Sequence, residues 1–339
     1  MRFVNQFIHQ IESTGAWSPW CFLGIFIAAS LLMIWRLEAM SAGGFEGTVL
    51  GTLIMPYCSG VGNLIFAFLI AQRSGPGADV LTNAIVNNVT NLTLLIGLPA
   101  LIWQANRSSP AKGKSKKDSK KESTAPKPDT HRFSVMLTLL AVLFFTGAVW
   151  ALGRDGKITF NDGLVLAGLF LFWQTIHVFE VLKTSARGGN PLGWMLLVNL
   201  VLLAVGAYAS YLSINWLVKW ISGGNGTFFN AQNLGWLSGW MMVLPNAILA
   251  LYYGWRRKQD VVYASQVGDG HICIPLCVGI FALHQTMTLP PIFLTGIYVI
   301  AGATIIHFLF IATLGRLPRI AGFAMIAAYA YFVKTGFLK

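Results

Sequence analysis

The sequence predicts an all-α membrane protein of about ten transmembrane helices arranged as two inverted five-helix repeats. Three observations carry that expectation. First, 55% of the 339 residues are hydrophobic and only 11% are charged, against the roughly 25% charge of a water-soluble domain, and the mean hydropathy is +0.63. So few charges cannot cover a globular surface in water, which excludes a soluble enzyme or a nucleic-acid binder. Second, apolar runs long enough to cross a bilayer, about 20 residues each, recur through the chain. They fall at 17–35, 47–71, 80–103, 133–152, 161–182, 192–216, 235–255, 261–284, 290–313 and 318–334. Third, the second and third runs resemble the seventh and eighth.

The first run follows a sixteen-residue polar-apolar lead and reads as an anchor rather than a cleaved signal. Between the third and fourth runs lies AKGKSKKDSKKESTAPKPDTHR, a stretch of like charge without apolar period that reads as a disordered tether. Nine of the 24 Lys and Arg residues lie between Arg107 and Arg132. This explains the formal charge of +12 and suits the anionic inner leaflet better than a nucleic acid. With the N-terminus outside, the inner loops hold 17 of the 24 Lys and Arg residues, as the positive-inside rule requires. The expected organisation is helices 1–3 over 1–104, the basic linker over 105–132, helices 4 and 5 over 133–183, and the second repeat over 184–339. Short loops suggest a bacterial inner membrane. Cys21, Cys58, Cys273 and Cys277 sit inside apolar runs and read as buried, reduced thiols.

The internal similarity is specific at polar positions. SGVGNLIFAFLIAQR meets MVLPNAILALYYGWR when Asn63 is laid on Asn246, which also pairs Arg73 with Arg256. NAIVNNVTNLTLLIGLPAL meets SQVGDGHICIPLCVGIFAL, pairing Asn87 with Asp269, Asn91 with Cys273 and Gly97 with Gly279. Repeats five spans apart enter the bilayer from opposite sides, an arrangement typical of secondary transporters with a midplane site.

Polar side chains at bilayer depth default to functional candidates. Asn63 and Asn246 follow Gly62 and Pro245, and Asn87 and Asn91 lie one turn apart on one helix face. With Asp269 they offer oxygens suited to a hard cation. The alternative role is interhelical hydrogen bonding. His177 and Glu180, three apart, could relay protons or simply pair with each other. His284 and His307 read as isolated histidines. No local motif for a zinc site or for a nucleotide phosphate occurs, so neither a bound cofactor nor ATP-driven pumping is expected.

These stretches resemble the α-repeats of the calcium/cation antiporter superfamily, the sodium/calcium exchanger type of membrane domain. The family's GTSLPE-like stretch corresponds to CSGVGN (58–63) and WMMVLPN (240–246), and its GNxxGSNxxN to TNAIVNNVTN (82–91) and ASQVGDGHIC (264–273). The resemblance implies ten helices in two inverted repeats. It also implies ion ligands at Asn63 and Asn246, where the family carries glutamates, and at Asn87, Asn91, Asp269 and Cys273. Its hydroxyl ligands fall near Ser59 and Gly60, and at Met242 and Val243.

Both glutamates are therefore replaced, leaving Asp269 as the single carboxylate of the set. Attraction between charges scales inversely with the local dielectric constant, and a divalent ion beside one carboxylate keeps an uncompensated charge. Exchange of sodium, potassium or protons is favoured over calcium, or else movement of a small polar solute. A membrane sensor or scaffold, and an intramembrane enzyme using His177, Glu180, His271 or His307, are the competing readings.

Overall fold

The computed structural model describes residues 2–42, 60–103, 128–185 and 194–338. The expected basic linker lies outside the described residues as far as 127, as does the first part of the second span, with Ser59 and Cys58.

The helices follow the apolar runs. In order they are α1 (Arg2–Glu12), α2 (Ser18–Ala42), α3 (Val61–Gln72), α4 (Gly77–Val89), α5 (Ile96–Ile102), α6 (Pro128–Leu152), α7 (Phe160–Ser185), α8 (Trp194–Ser222), α9 (Leu234–Trp255), α10 (Gln259–Ile272), α11 (Val278–His284), α12 (Phe293–Leu314) and α13 (Arg319–Gly336). Two π-helical segments, Thr90–Leu95 and Cys273–Cys277, join α4 to α5 and α10 to α11, so each pair makes one span. Among the described residues, eight helices are long and apolar enough to cross a bilayer, and α3 and α13 complete the ten-span order. Strand pairing among the described residues is minimal: Lys157–Ile158 (β1) lies antiparallel to Met287–Thr288 (β2), joining two loops on one side of the bundle.

Two elements depart from the sequence reading. The N-terminal lead is a helix, α1, whose Ile8 and Ile11 pack on the core while polar residues face outward, the pattern of an interfacial helix. Helix α6 begins at Pro128, inside the expected linker. Proline suits the first position of a helix because its missing N–H would have no partner there.

Packing repeats with the two-fold relation. Helix α13 lies against α5 and the preceding π segment, and α7 lies in the same way against α11 and its π segment. The self-related contacts are α2 on α8 and α6 on α12. Outward faces carry Phe172, Phe179, Leu197, Tyr298 and Phe323 largely exposed. A bilayer removes that apolar surface from water.

Details at single residues repeat too. Helices α3 and α9 both end with a non-glycine residue at positive φ, Ser74 (51°) and Arg257 (57°). In both, the next amide reaches back five residues, Gly75 N to Ile70 O and Lys258 N to Tyr253 O, each at 2.9 Å. These are Schellman turns, in the register that pairs Asn63 with Asn246. The π segments coincide to within a residue in the register that pairs Asn91 with Cys273.

The paired glycines Gly97 and Gly279 explain themselves in the packing. A Cβ on Gly97 would stand 2.9 Å from Gly322 O on α13, and one on Gly322 would stand 2.8 Å from Gly97 O. The second repeat has the same reciprocal contact, Gly279 against Gly163 on α7, with a Cβ on Gly163 2.9 Å from Gly279 O. Small residues let membrane helices approach backbone to backbone.

One cysteine departs from expectation. Cys273 and Cys277 are buried free thiols, but Cys21 is exposed on the outer face of α2, a helix with only a third of its apolar window covered by protein.

Candidate functional site

Four asparagines on the third span are fully or almost fully buried: Asn83, Asn87, Asn88 and Asn91. Each amide turned into the bundle needs partners, because no water competes there. Asn91 Nδ2 donates to Asn87 Oδ1 at 3.0 Å. Asn87 Nδ2 in turn points to Asn63 Oδ1 on α3 at 3.4 Å, a long contact. The carboxamides thus line up from the π segment to the start of α3. Asn83 donates to Ser238 Oγ on α9 at 3.1 Å, and Asn88 donates to its own helix at Ala84 O, 2.7 Å. Asn83 therefore ties α4 to α9 and Asn88 is held within α4, while Asn87 and Asn91 continue toward Asn63.

Asn63 and Asn246, paired across the repeats, meet in space. Both line one small cavity of about 20 Å³ between α2, α3 and α9, together with Phe26, Ser30, Met33 and Met242. That is room for one water-sized body. Pro245 lines it too, and having no N–H it leaves the carbonyl four residues before it without a helical donor. Asn246 O accepts from Gln266 Nε2 on α10 at 3.3 Å.

Helix α10 reaches the same region. A Cβ on Gly270 would stand 2.8 Å from Asn88 Oδ1, so the backbone beside Asp269 runs against the asparagine-bearing face of α4. For Asp269, His271 and Glu180 the helical backbone alone is described. Asn63, Asn87, Asn91 and Asn246 are brought together, Asp269 lies on the helix that crosses them, and Ser59 is outside the described residues.

His177 stands apart, its ring edge-on to Trp173 on the same helix with centroids 5.0 Å apart. His307 is not isolated. Fully buried on α12, it contacts Leu92 O in the first π segment through Nε2 at 2.6 Å and Tyr263 Oη of α10 through Nδ1 at 3.0 Å. One imidazole thus links the third, eighth and ninth spans. Among the described residues, no three His, Cys, Asp or Glu side chains gather to hold a metal.

The paired arginines differ in surroundings. Arg73 donates to Asn215 Oδ1 on α8 at 2.6 Å, and partial burial pulls its guanidinium below the ordinary value. Arg256 is exposed beside the rings of Tyr252 and Trp255.

Ten spans, inverted repeats with matched helix endings, and a cavity lined by asparagines of both repeats define a multi-pass membrane protein of the ion-exchanger fold. The resemblance to the calcium/cation antiporter superfamily holds on two independent comparisons. Residues 16–179 match the family model described as sodium/calcium exchanger protein. Solved structures of the sodium-calcium exchanger NCX_Mj superpose over the whole bundle. The form soaked with 2.5 mM Na⁺ and 10 mM Sr²⁺ gives a TM-score of 0.62 at 19% identity, covering 95% of this chain and 96% of that one. The form soaked without Na⁺ or Ca²⁺ gives 0.60 at 18%, covering 94% and 96%. Identity at this level speaks for the fold. No curated protein matches the sequence.

Proposed function

We propose that the chain is a secondary active transporter exchanging cations by alternating access, with its binding site at the midplane between the two α-repeats. The observation that carries this reading is the meeting of Asn63 and Asn246 on the wall of one cavity, with the Asn87–Asn91 pair leading into it. A scaffold that had lost transport would have no reason to keep carboxamides in a cavity that Leu or Phe would fill at lower cost. The cavity's size also favours a bare ion over an organic solute.

In this reading Asn63, Asn87, Asn91 and Asn246 replace part of the ion's hydration shell, and Ser59 is a further candidate ligand. Asp269 is the charged ligand or the proton-exchanging group. One carboxylate balances one monovalent cation or one proton, so sodium, potassium or proton coupling is favoured and calcium is disfavoured. The N-terminus faces outside, the Lys-rich linker lies on the inner side against anionic lipid, and the setting is a bacterial inner membrane.

The test is flux of sodium, potassium, protons and calcium in liposomes, wild type beside Asp269→Asn. Monovalent or proton-coupled flux should appear in the wild type and vanish in the variant, with insertion unchanged. Normal coupled flux in Asp269→Asn would overturn the assignment, and calcium-driven flux would overturn the charge reasoning.

A further inference from the structure

Resting on the transport reading, we propose that α2 is a strap across the asparagine-lined cavity, pinned on either side of it by hydrogen bonds between the repeats, and that release of one pin opens the cavity to that side alone. The cavity lies between α2, α3 and α9, and α2 gives it Phe26, Ser30, Met33 and Ile34. Those four residues fall between Phe22 and Glu38, the two points at which α2 is held. Toward its C-terminal end the hold is direct: Tyr253 Oη, in the last turn of α9, donates to Glu38 Oε1 at 2.6 Å. Toward its N-terminal end the hold passes through α8. Phe22 stacks on Trp216 with ring centroids 4.3 Å apart, and Asn215, beside that tryptophan, accepts from Arg73 at the end of α3. The guanidinium reaches Asn215 Oδ1 at 2.6 Å and its backbone carbonyl at 3.2 Å.

The two holds are sixteen residues apart, about 24 Å along the helix axis. They therefore lie toward opposite faces of a bilayer whose core is about 30 Å thick. Each crosses from one repeat to the other, Glu38 to α9 and Asn215 to α3. Both grip the end of an asparagine-bearing helix. Arg73 matches Arg256 in the register that pairs Asn63 with Asn246, and Tyr253 stands three residues before Arg256. Position is thus repeated while chemistry is not: a guanidinium holds an amide at one end, and a phenol holds a carboxylate at the other. Hydrogen bonds to a charged group are the stronger kind, which suits a closure. Neither pin is sealed in the core, since Glu38 is exposed and Arg73 half-buried. Water can take the partner's place there without stranding a buried polar group. Between the pins α2 meets α8 through apolar packing, with Met33 seated over Gly206.

The reporter is Ser30→Cys, on the cavity face of the strap, and the probe is a membrane-impermeant cationic methanethiosulfonate. Full-length protein is labelled in spheroplasts, which present the outer face, and in inverted membrane vesicles, which present the inner one. The signal is the difference between proteins with and without Ser30→Cys, so that native thiols cancel. Arg73→Leu, which removes both donations to Asn215, should raise the labelling rate about tenfold or more in spheroplasts alone. Tyr253→Phe should do the same in inverted vesicles alone. Glu38→Gln, which keeps an acceptor for the phenol, should stay near the unaltered protein, whereas Glu38→Leu should behave as Tyr253→Phe does. The same pattern with the two preparations exchanged would keep the strap and reverse only the N-outside orientation. Rates raised on both faces by a single variant, raised on neither face by Arg73→Leu and Tyr253→Phe, or raised as much by Glu38→Gln as by Glu38→Leu would overturn the inference. Flux in liposomes keeps the two proposals apart. One-sided labelling without flux of any ion removes the transport reading and leaves the strap. Flux that is lost in Asp269→Asn, with labelling that no pin variant alters, does the reverse.

Discussion

Replacing Gly163 by alanine tests the inverted packing directly. The new Cβ would stand 2.9 Å from Gly279 O, where a relaxed carbon–oxygen contact lies at about 3.3–3.6 Å. Helix α7 must then retreat from α11 by roughly half an ångström, and overpacking of this kind costs about 1–3 kcal/mol. Alanine also improves helix propensity by about 0.5–1 kcal/mol, which would blur a single measurement. Gly168, on the same helix, supplies the correction, since nothing lies within 4 Å of its added Cβ. The difference between Gly163→Ala and Gly168→Ala should therefore be about 1–3 kcal/mol against Gly163→Ala. Gly322→Ala, whose Cβ meets Gly97 O at 2.8 Å, should lose stability in the same range. The assay is reversible unfolding of purified protein in mixed micelles, followed by circular dichroism. Equal stability of Gly163→Ala and Gly168→Ala would refute the close backbone contact. Loss at Gly163 with none at Gly322 would refute its repetition across the two-fold.

Ser74→Gly and Arg257→Gly each relieve a positive-φ residue and should each stabilise by about 0.5–1 kcal/mol in that unfolding assay, net of glycine's entropy. His307→Phe leaves Leu92 O and Tyr263 Oη without their imidazole partner and should destabilise by about 1–3 kcal/mol per orphaned group, whereas His307→Gln should be milder. Arg73→Ala should lower the melting temperature more than Arg256→Ala, because Arg73 is held by Asn215 on another helix and Arg256 is exposed beside the rings of Tyr252 and Trp255 on its own helix.

Most of the architecture was legible in the sequence because the bilayer imposes a length. Wherever its residues are described, each apolar run falls on a helix, and the odd number of spans between the repeats is realised in the packing. The register of the repeats could be read from Asn63, Asn246, Gly97 and Gly279 because asparagine, arginine and glycine, unlike isoleucine and alanine, seldom match by accident in apolar helices. Helix α1 was missed because its period is amphipathic and short, a signal that hydropathy averaging dilutes. Ser30 was missed as a wall of the cavity because a lone serine in an apolar run reads as packing, and only the meeting of α2 with α3 and α9 gives it a place. His307 was underestimated because its partners lie 215 and 44 residues away in sequence, a distance no local motif encodes.

The π segments have a consequence for what one helix can face. A residue added to one turn rotates everything beyond it by about 100° around the axis. Asn91, inside the wide turn, is directed along the carboxamide row, while Gly97, just past it, is directed to α13. The third span is thus two helices of different azimuth on one axle, one half serving the cavity and the other the scaffold. Deleting a single residue from Thr90–Leu95 would turn the scaffold half away from its partner and leave the carboxamide row in place, separating docking of the bundle from assembly of the site.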